Sequence, residues 1–240
     1  MKPSTEPNAA TFVFFHVGHD TTLPSMLVDS IRWTNRSATI LFCTDAATPD
    51  IEGVDRRIEV PGDRKTLMTY RLDAFSRCGL EYPAIYLDTD MLVTREIRPI
   101  ELLGTAKIAM CQRFFSRDAA FNGNFRGLDF REYDQQPLGK VYPYVACCTV
   151  TENAKVWSSL LAILVNLHPK FHLWYGDQEA MRHFAQQHSD WVLGLPEHTY
   201  GCLPEANEYV QRAAIIHFKG PARKPLMQTV HEQLRARARQ

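Results

Sequence analysis

Long hydrophobic runs are absent from the 240-residue sequence. A membrane-spanning helix needs about 18 apolar residues in succession, and the longest apolar stretches, at residues 144–150 and 160–165, are much shorter. No secretory signal pattern is present either, because the first eight residues include an acid and two prolines and no small-residue cleavage site follows an apolar core. These absences predict a cytoplasmic protein with no transmembrane helix.

An excess of charge of either sign is also absent, since 27 basic residues balance 27 acidic ones. Proteins that hold nucleic acid by neutralising its phosphates usually carry a basic excess, so no nucleic-acid partner is expected. The six cysteines form no CxxC pair, which argues against structural zinc and against a disulfide framework. Apolar residues make up 45% of the chain, enough for a well-buried domain.

Short apolar strands alternate with helical periods through the first 110 residues. The pattern predicts strands at residues 11–17, 38–43, 57–60 and 83–87, and helices at 23–33 and 64–78. This alternation predicts an α/β fold with a mostly parallel central sheet flanked by helices, and with binding at the carboxyl ends of the strands. Further strands are expected at 108–111, 145–150 and 213–217, and further helices at 153–167, 177–187 and 225–239.

Two carboxylates, Asp88 and Asp90, interrupt the apolar run at residues 85–93. Alternate residues of an extended chain point the same way, so both can face one ligand, and oxygen donors of this kind suit Mg²⁺ or Mn²⁺. The alternative is that the strand ends at Leu87 and that both aspartates are solvated turn residues.

A second polar feature follows the strand expected at residues 213–217, which ends on His217. The loop after it contains Gly220 and three cations, Lys219, Arg223 and Lys224. An imidazole added to two carboxylates is a ligand set that Mn²⁺ tolerates, and basic side chains beside glycine amides can hold phosphate oxygens. Alone, such a histidine is more often structural, but beside the two aspartates it favours a metal site.

Three more polar residues stand out. Arg71 lies in the middle of the apolar stripe of the helix expected at 64–78, so its guanidinium needs an anionic partner, either a carboxylate of the protein or a ligand diphosphate. Asp177 and Gln178 follow Gly176 at the start of another expected helix, where an aspartate by itself is typical of a helix cap.

In this order, these features resemble those of the GT-A glycosyltransferases, most closely glycosyltransferase family 8, which includes glycogenin and bacterial lipooligosaccharide α-galactosyltransferases. That family has an Arg or Lys upstream of a DxD, then a DQ motif and a C-terminal HxxGxxKP motif. Arg71 precedes Asp88-Thr89-Asp90 at the family's spacing, Gly176-Asp177-Gln178 matches the DQ motif, and His217 with Gly220 matches the last motif.

The resemblance implies a metal-dependent, retaining enzyme that moves a hexose from a UDP-sugar to a saccharide, lipid-linked or protein acceptor. It implies that Asp88, Asp90 and His217 bind Mn²⁺ or Mg²⁺, and that Asp177 and Gln178 are the catalytic residues beneath the anomeric carbon. The residues that would bind the nucleotide sugar are His16, Val17, Gly18, Arg71, Thr89, Gly220, Arg223 and Lys224.

Two positions depart from the family pattern. Arg223 stands where the family has its lysine and Lys224 follows, so either cation can hold the diphosphate. The segment Val145-Ala146-Cys147 replaces an Asn-Ala-Gly segment and lacks its polar sugar contact. Two other functions stay open: a non-catalytic nucleotide-sugar-binding protein of the same fold and, with less support, a DxD aspartyl phosphatase or phosphotransferase.

The resemblance implies a single, Rossmann-like GT-A domain at residues 11–225. Residues 114–143 form a candidate acceptor lid, because the segment is long, basic and rich in aromatic residues that can stack on sugars; the alternative is a loop packed for stability. Residues 226–240 are expected to form a basic C-terminal helix or tail. This end is expected to be solvated, with contact to an anionic inner membrane surface as the alternative.

Overall fold

The computed structural model describes residues 9–239. Its strands are β1 Thr11–Phe15, β2 Thr39–Thr44, β3 Arg56–Glu59, β4 Ala84–Leu87, β5 Met91–Val93, β6 Ile108–Gln112, β7 Asn124–Phe125, β8 Leu128–Asp129, β9 Tyr144–Thr151, β10 Val192–Pro196 and β11 Ile215–His217. Its α-helices are α1 Thr22–Thr34, α2 Leu67–Ser76, α3 Pro99–Leu103, α4 Leu138–Val141, α5 Lys155–Leu164, α6 Lys170–Leu173, α7 Gly176–Gln187, α8 Glu197–Tyr200, α9 Asn207–Val210 and α10 Lys224–Ala238.

Seven strands form the central sheet, in the order β10-β6-β9-β4-β1-β2-β3. Strand β9 runs antiparallel to both of its neighbours, and the other pairs are parallel. The predicted α/β fold with a mostly parallel sheet is therefore confirmed. Strand β10 was missed by the sequence analysis, because Gly194 and Pro196 interrupt its apolar pattern.

Both faces of the sheet are covered by helices. Alternate residues of β1 point to opposite faces, so Phe12 and Phe14 pack with α1, whereas Val13 and Phe15 join the core beneath α2, α5 and α7. On that second face, Trp157 is fully buried, and its ring centroid lies 4.8 Å from that of Phe75. Because both faces are apolar, polar side chains collect at the edge where the strands end.

A second, two-stranded sheet brings distant parts of the chain to that edge. Strand β4 ends at Leu87, the residues after it form a turn, and β5 begins at Met91. Strand β11 pairs with β5 in antiparallel fashion, with His217 opposite Met91. The pairing places His217 next to Asp90.

The segment at residues 114–143 contains the hairpin β7–β8 and the short helix α4. Phe121, Phe130 and Tyr142 in this segment are fully buried. Their rings surround that of Tyr175, the residue that precedes α7, at centroid distances of 5.3 to 5.4 Å. These aromatic side chains anchor the segment to the core, although most of its residues are exposed, and Phe114 is its strongly exposed aromatic residue at 47%.

Helix α10 packs on the body of the domain. Met227 is fully buried, and the His231 ring lies 4.8 Å from that of Trp33 while its Nε2 lies 3.0 Å from Asp29 Oδ2. Arg235 and Arg237 lie on its exposed last turn, and Arg239 follows it. None of the described helices combines the length and the apolar character needed to cross a membrane.

Candidate functional site

Asp88, Asp90 and His217 form a cluster that could hold a metal ion. One ligand atom from each residue lies within 4.8 Å of the others, and His217 Nε2 lies 3.4 Å from Asp90 Oδ1. The two aspartates are half-buried in the turn after β4, whereas His217 is 3% exposed. The alternative from the sequence analysis is correct in that the strand ends at Leu87, but the two aspartates are half-buried by the surrounding residues and not fully solvated. Two carboxylates and an imidazole fit a divalent cation such as Mn²⁺ or Mg²⁺.

The protonation of this cluster is strongly perturbed. Burial raises the pKa of Asp88, Arg71 opposes this, and the neighbouring Asp90 charge adds to it. Burial also acts to raise the pKa of Asp90, but His217 outweighs it and the pKa is lowered. Burial lowers the pKa of His217, yet its contacts with Cys147 and Asp90 raise it to about 10. His217 therefore holds a proton near neutral pH in the metal-free cluster, and a metal ion that uses its imidazole as a ligand has to displace that proton.

Arg71 connects this cluster to helix α7. Its Nη1 donates to Asp88 Oδ1 over 2.7 Å, and its Nη2 donates to Asp177 Oδ2. The Arg71 side chain is 12% exposed and that of Asp177 is 8% exposed. Burial acts to lower the pKa of Arg71, but the charges of Asp177 and Asp88 raise it. In this structure the partner of the buried guanidinium is therefore a pair of protein carboxylates.

The entry into α7 has a special backbone. Tyr175 has a φ of 62°, and a Cβ placed on Gly176 would lie 2.0 Å from the Phe171 carbonyl oxygen, so this position requires glycine. Asp177 lies in the first turn, but Tyr175 is the residue at the cap position and makes no capping bond with its side chain. The Asp177 carboxylate binds Arg71 through Oδ2 and accepts the N–H of Gln178 at Oδ1 over 2.7 Å.

Gln178 is held from the other side of the site. Its Oε1 accepts a hydrogen bond of 2.7 Å from Nη2 of Arg113, the residue after β6. Arg113 is 6% exposed and also donates through Nε to the Tyr142 carbonyl oxygen over 2.7 Å. The sequence analysis did not assign Arg113 to the site and missed its contact with Gln178. The sequence feature that could have identified Arg113 is its position directly after the apolar run of β6, at the carboxyl end of a core strand.

His16, Val17 and Gly18 lie at the same edge, directly after β1. Gly18 has a φ of 139°, and its N–H donates to Thr48 Oγ1 over 2.9 Å. Burial lowers the pKa of His16, and His16 Nε2 has no hydrogen-bond partner among the residues that the structure describes. Asp45 accepts the Thr48 hydroxyl over 2.7 Å. Thr48 and Asp45 were missed, although they follow β2, the neighbour of β1.

The two cations at the start of α10 point in different directions. Lys224 Nζ lies 3.9 Å from Asp90 Oδ2. Arg223 instead binds Glu205, with Nε 2.8 Å from Oε1. Gly220, with a φ of 84°, shapes the loop between β11 and this helix, and Thr89 lies half-buried in the turn between the two aspartates. The structure therefore brings Lys224, and not Arg223, to the carboxylate cluster.

Solved glycosyltransferases share this architecture at low sequence identity. GlyE of Streptococcus pneumoniae TIGR4 in its apo form is 16% identical with a TM-score of 0.55, over 92% of this chain and 60% of that one. The apo bifunctional glycosyltransferase WbbM is 15% identical with a TM-score of 0.54, over 90% and 47%. The galactosyltransferase LgtC, in complex with donor and acceptor sugar analogs, is 15% identical with a TM-score of 0.53, over 93% and 96%.

At these identities the likeness defines the fold: the chain has the α/β fold of these glycosyltransferases. It spans about half of the WbbM chain and 60% of the GlyE chain. No protein-family model and no curated protein matches the sequence.

Proposed function

We propose that this chain is a metal-dependent glycosyltransferase of the GT-A type, resembling family 8, with its domain at residues 11–225 and a nucleotide-sugar donor. The observation that carries the proposal is the convergence of Asp88, Asp90 and His217 with the Arg71–Asp177 ion pair at the carboxyl edge of the sheet. Ligands of α/β folds bind at this edge. In more detail, we propose that the donor is a UDP-hexose and that the transfer retains the configuration at the anomeric carbon.

Asp88, Asp90 and His217 would hold a divalent cation, Mn²⁺ or Mg²⁺. When bound, the cation supplies positive charge at the departing diphosphate, where negative charge accumulates during glycosyl transfer. Lys224, whose Nζ lies 3.9 Å from Asp90, adds a second positive charge on the same side. Gly220 gives the loop a backbone that can approach the phosphates closely.

Asp177 and Gln178 are proposed to face the anomeric carbon of the donor sugar. Arg71 fixes the Asp177 carboxylate, so its charge is in place before the donor arrives. The orientation of Gln178 follows from chemistry, because an arginine only donates hydrogen bonds. The amide oxygen of Gln178 must therefore face Arg113, and its NH₂ group is left to donate to the donor sugar.

The nucleoside is proposed to lie over the end of β1. His16, Val17 and Gly18 form the floor, and the hydrogen bond from Gly18 to Thr48 holds the loop in its extended shape. Thr89 lies between the two metal-binding aspartates, where its backbone and hydroxyl can reach the ribose side of the diphosphate. This arrangement supports a nucleoside diphosphate as the common part of the donor.

A thermal-shift screen of UDP, GDP, ADP and their hexose conjugates, with and without Mn²⁺, tests the proposal. Ligand at 100 times its Kd stabilises a protein by about 2.7 kcal/mol, so a specific donor gives a clear shift. We expect a Mn²⁺-dependent shift with UDP-sugars that is lost in the double variant Asp88→Asn and Asp90→Asn. Asp190→Asn, an exposed carboxylate beyond the opposite edge of the sheet, is the matched control. A double variant that keeps the shift would refute the assignment.

Turnover separates an enzyme from a binding protein of the same fold. We expect slow Mn²⁺-dependent release of UDP from a UDP-hexose in wild-type protein, and at least a tenfold slower release in Gln178→Ala with donor binding retained, since about 1.4 kcal/mol of barrier corresponds to tenfold. Binding without release for every donor would favour the non-catalytic alternative. A phosphoryl group trapped on Asp88 would favour the phosphotransferase alternative.

A further inference from the structure

A cavity of about 390 Å³ opens beside the candidate site and is not used by the proposed donor. Arg113, Phe114 and Arg117 line it from the end of β6, and Glu197 and His198 line it from α8. Its volume lies within the roughly 300–1,000 Å³ typical of small-molecule sites. A second cavity, of about 290 Å³ beneath α10, is lined by none of the candidate site residues.

The cavity is connected to the proposed reaction centre through one side chain. Arg113 lines the cavity, and its Nη2 donates to Gln178 Oε1 over 2.7 Å. Gln178 is the residue proposed to lie beneath the anomeric carbon, so Arg113 and Gln178 together connect this cavity to the proposed reaction centre. A sugar acceptor has to lie beside that centre, because its hydroxyl must reach the carbon.

Phe114 provides an exposed but fixed aromatic surface at the cavity. It is 47% exposed, although three neighbours hold its ring. Its centroid lies 5.3 Å from Phe115, 5.3 Å from His198 and 5.7 Å from Tyr209, with the rings steeply inclined in each case. A rigid aromatic face left open to solvent suits the apolar face of a pyranose ring, which stacks on it without ordering a flexible side chain.

Glu197 supplies a hydrogen-bond acceptor in the wall of the cavity. Its Oε2 accepts the backbone N–H groups of Phe114 and Phe115, the latter over 2.9 Å. Its Oε1 makes no hydrogen bond to any residue between 9 and 239, although Glu197 is only 3% exposed. Arg113 has five N–H donors, of which three bond within the protein. The cavity thus presents a free acceptor and free donors together.

We propose that this cavity is the acceptor subsite and that it takes the terminal pyranose of an uncharged saccharide. A sugar hydroxyl both donates and accepts, so neighbouring Glu197 and Arg113 match hydroxyl groups, and the buried Glu197 carboxylate opposes a phosphate although Arg117 adds a second cation at the exposed rim. The inference rests on the proposed function. In the transfer, the acceptor hydroxyl oxygen bonds to the anomeric carbon, the bond from that carbon to the diphosphate breaks, and the hydroxyl proton leaves with the released nucleoside diphosphate.

The test measures binding of wild-type protein, loaded with UDP and Mn²⁺, to an array of immobilised hexose-terminated oligosaccharides. We expect binding to neutral saccharides, weakened about tenfold in Phe114→Ala and in Glu197→Gln, as expected for loss of about 1.4 kcal/mol of stacking or hydrogen bonding. Tyr82→Ala is the matched control, because Tyr82 is an exposed aromatic residue, at 50%, outside the cavity. UDP affinity, measured by calorimetry, should be unchanged in all three variants.

The two proposals fail in different ways. If UDP binds normally but no saccharide binds, or if Phe114→Ala and Glu197→Gln bind saccharides as wild type does, the acceptor subsite is wrong and the proposed donor site stands. If none of UDP, GDP and ADP binds with Mn²⁺, the proposed function is wrong. If saccharide binding still depends on Phe114 and Glu197 in that case, the cavity is a saccharide-binding site in a protein that is not a glycosyltransferase.

Discussion

Removal of Arg71 is the sharpest test of how the site is held together. Arg71→Met deletes the guanidinium that joins Asp88 to Asp177 and keeps a side chain of similar length. The Arg71 and Asp177 side chains are 12% and 8% exposed, and that of Asp88 is 31% exposed. The substitution therefore leaves one carboxylate almost fully buried and another partly buried, with no cation between them.

The expected cost follows from the two bonds that are lost. A hydrogen bond to a charged group contributes about 1.5–3 kcal/mol, and breaking a buried ion pair by removing one partner costs about 3–5 kcal/mol because a charge stays buried. We expect Arg71→Met to lower the free energy of unfolding by about 3–5 kcal/mol. Most of this arises at Asp177, since water can partly solvate Asp88.

Urea unfolding at pH 7, followed by circular dichroism with EDTA present, measures the effect. Asp177→Asn combined with Arg71→Met removes both charges of the buried pair, so we expect the double variant to lose at least about 1 kcal/mol less than the two single losses added together. Arg77→Met, which removes an exposed arginine paired with Asp73, should change stability by less than about 0.5 kcal/mol. A loss in Arg71→Met as small as that of the control would refute the reasoning.

Three further predictions concern other parts of the site. Partial burial acts to raise the pKa of Asp45, but hydrogen bonds from Thr48 and Arg64 lower it to about 2. The contribution of Asp45 to the free energy of unfolding is therefore present above about pH 4 and is lost as the pH falls toward 2. Asp45→Asn should flatten the dependence of the urea midpoint on pH in that range, and a variant with the same pH dependence as wild type would contradict this. Gly176→Ala places a methyl group against a backbone oxygen, so we expect it to lower the melting temperature and to destabilise by at least about 1–3 kcal/mol; a wild-type melting curve would show that the backbone can adjust. Lys224→Ala should weaken UDP binding in the presence of Mn²⁺ about tenfold, because a charge-assisted contact is lost. Arg223→Ala should bind UDP as wild type does. If calorimetry shows equal losses of affinity, Arg223 leaves Glu205 to reach the diphosphate.

The fold was predictable because its signals are local. Apolar runs broken by glycine and helical periods between them locate most of the strands and helices within a few residues, since each pattern reflects which side of its own element is buried. Strand β1 shows this, because a continuous apolar run is consistent with a fully buried strand and Phe12 and Val13 pack into opposite cores. Strand β10 was missed, because its extended conformation is stabilised by pairing with β6 and its own composition does not predict a strand.

The sequence by itself determined the α/β class, seven of the eleven described strands, the five longest described helices and the candidate residues Asp88, Asp90, His217, Asp177 and Gln178. Only the tertiary structure decided which side chains meet: β11 pairs with β5 and so carries His217 to Asp90, although 126 residues of chain lie between them. It likewise decided that Arg71 bridges two carboxylates, that Lys224 and not Arg223 faces the cluster, and that Arg113 orients Gln178. The physical reason is that a charged side chain takes the partner that packing places within about 4 Å, and that partner is set by sheet register and helix docking, which no local pattern encodes.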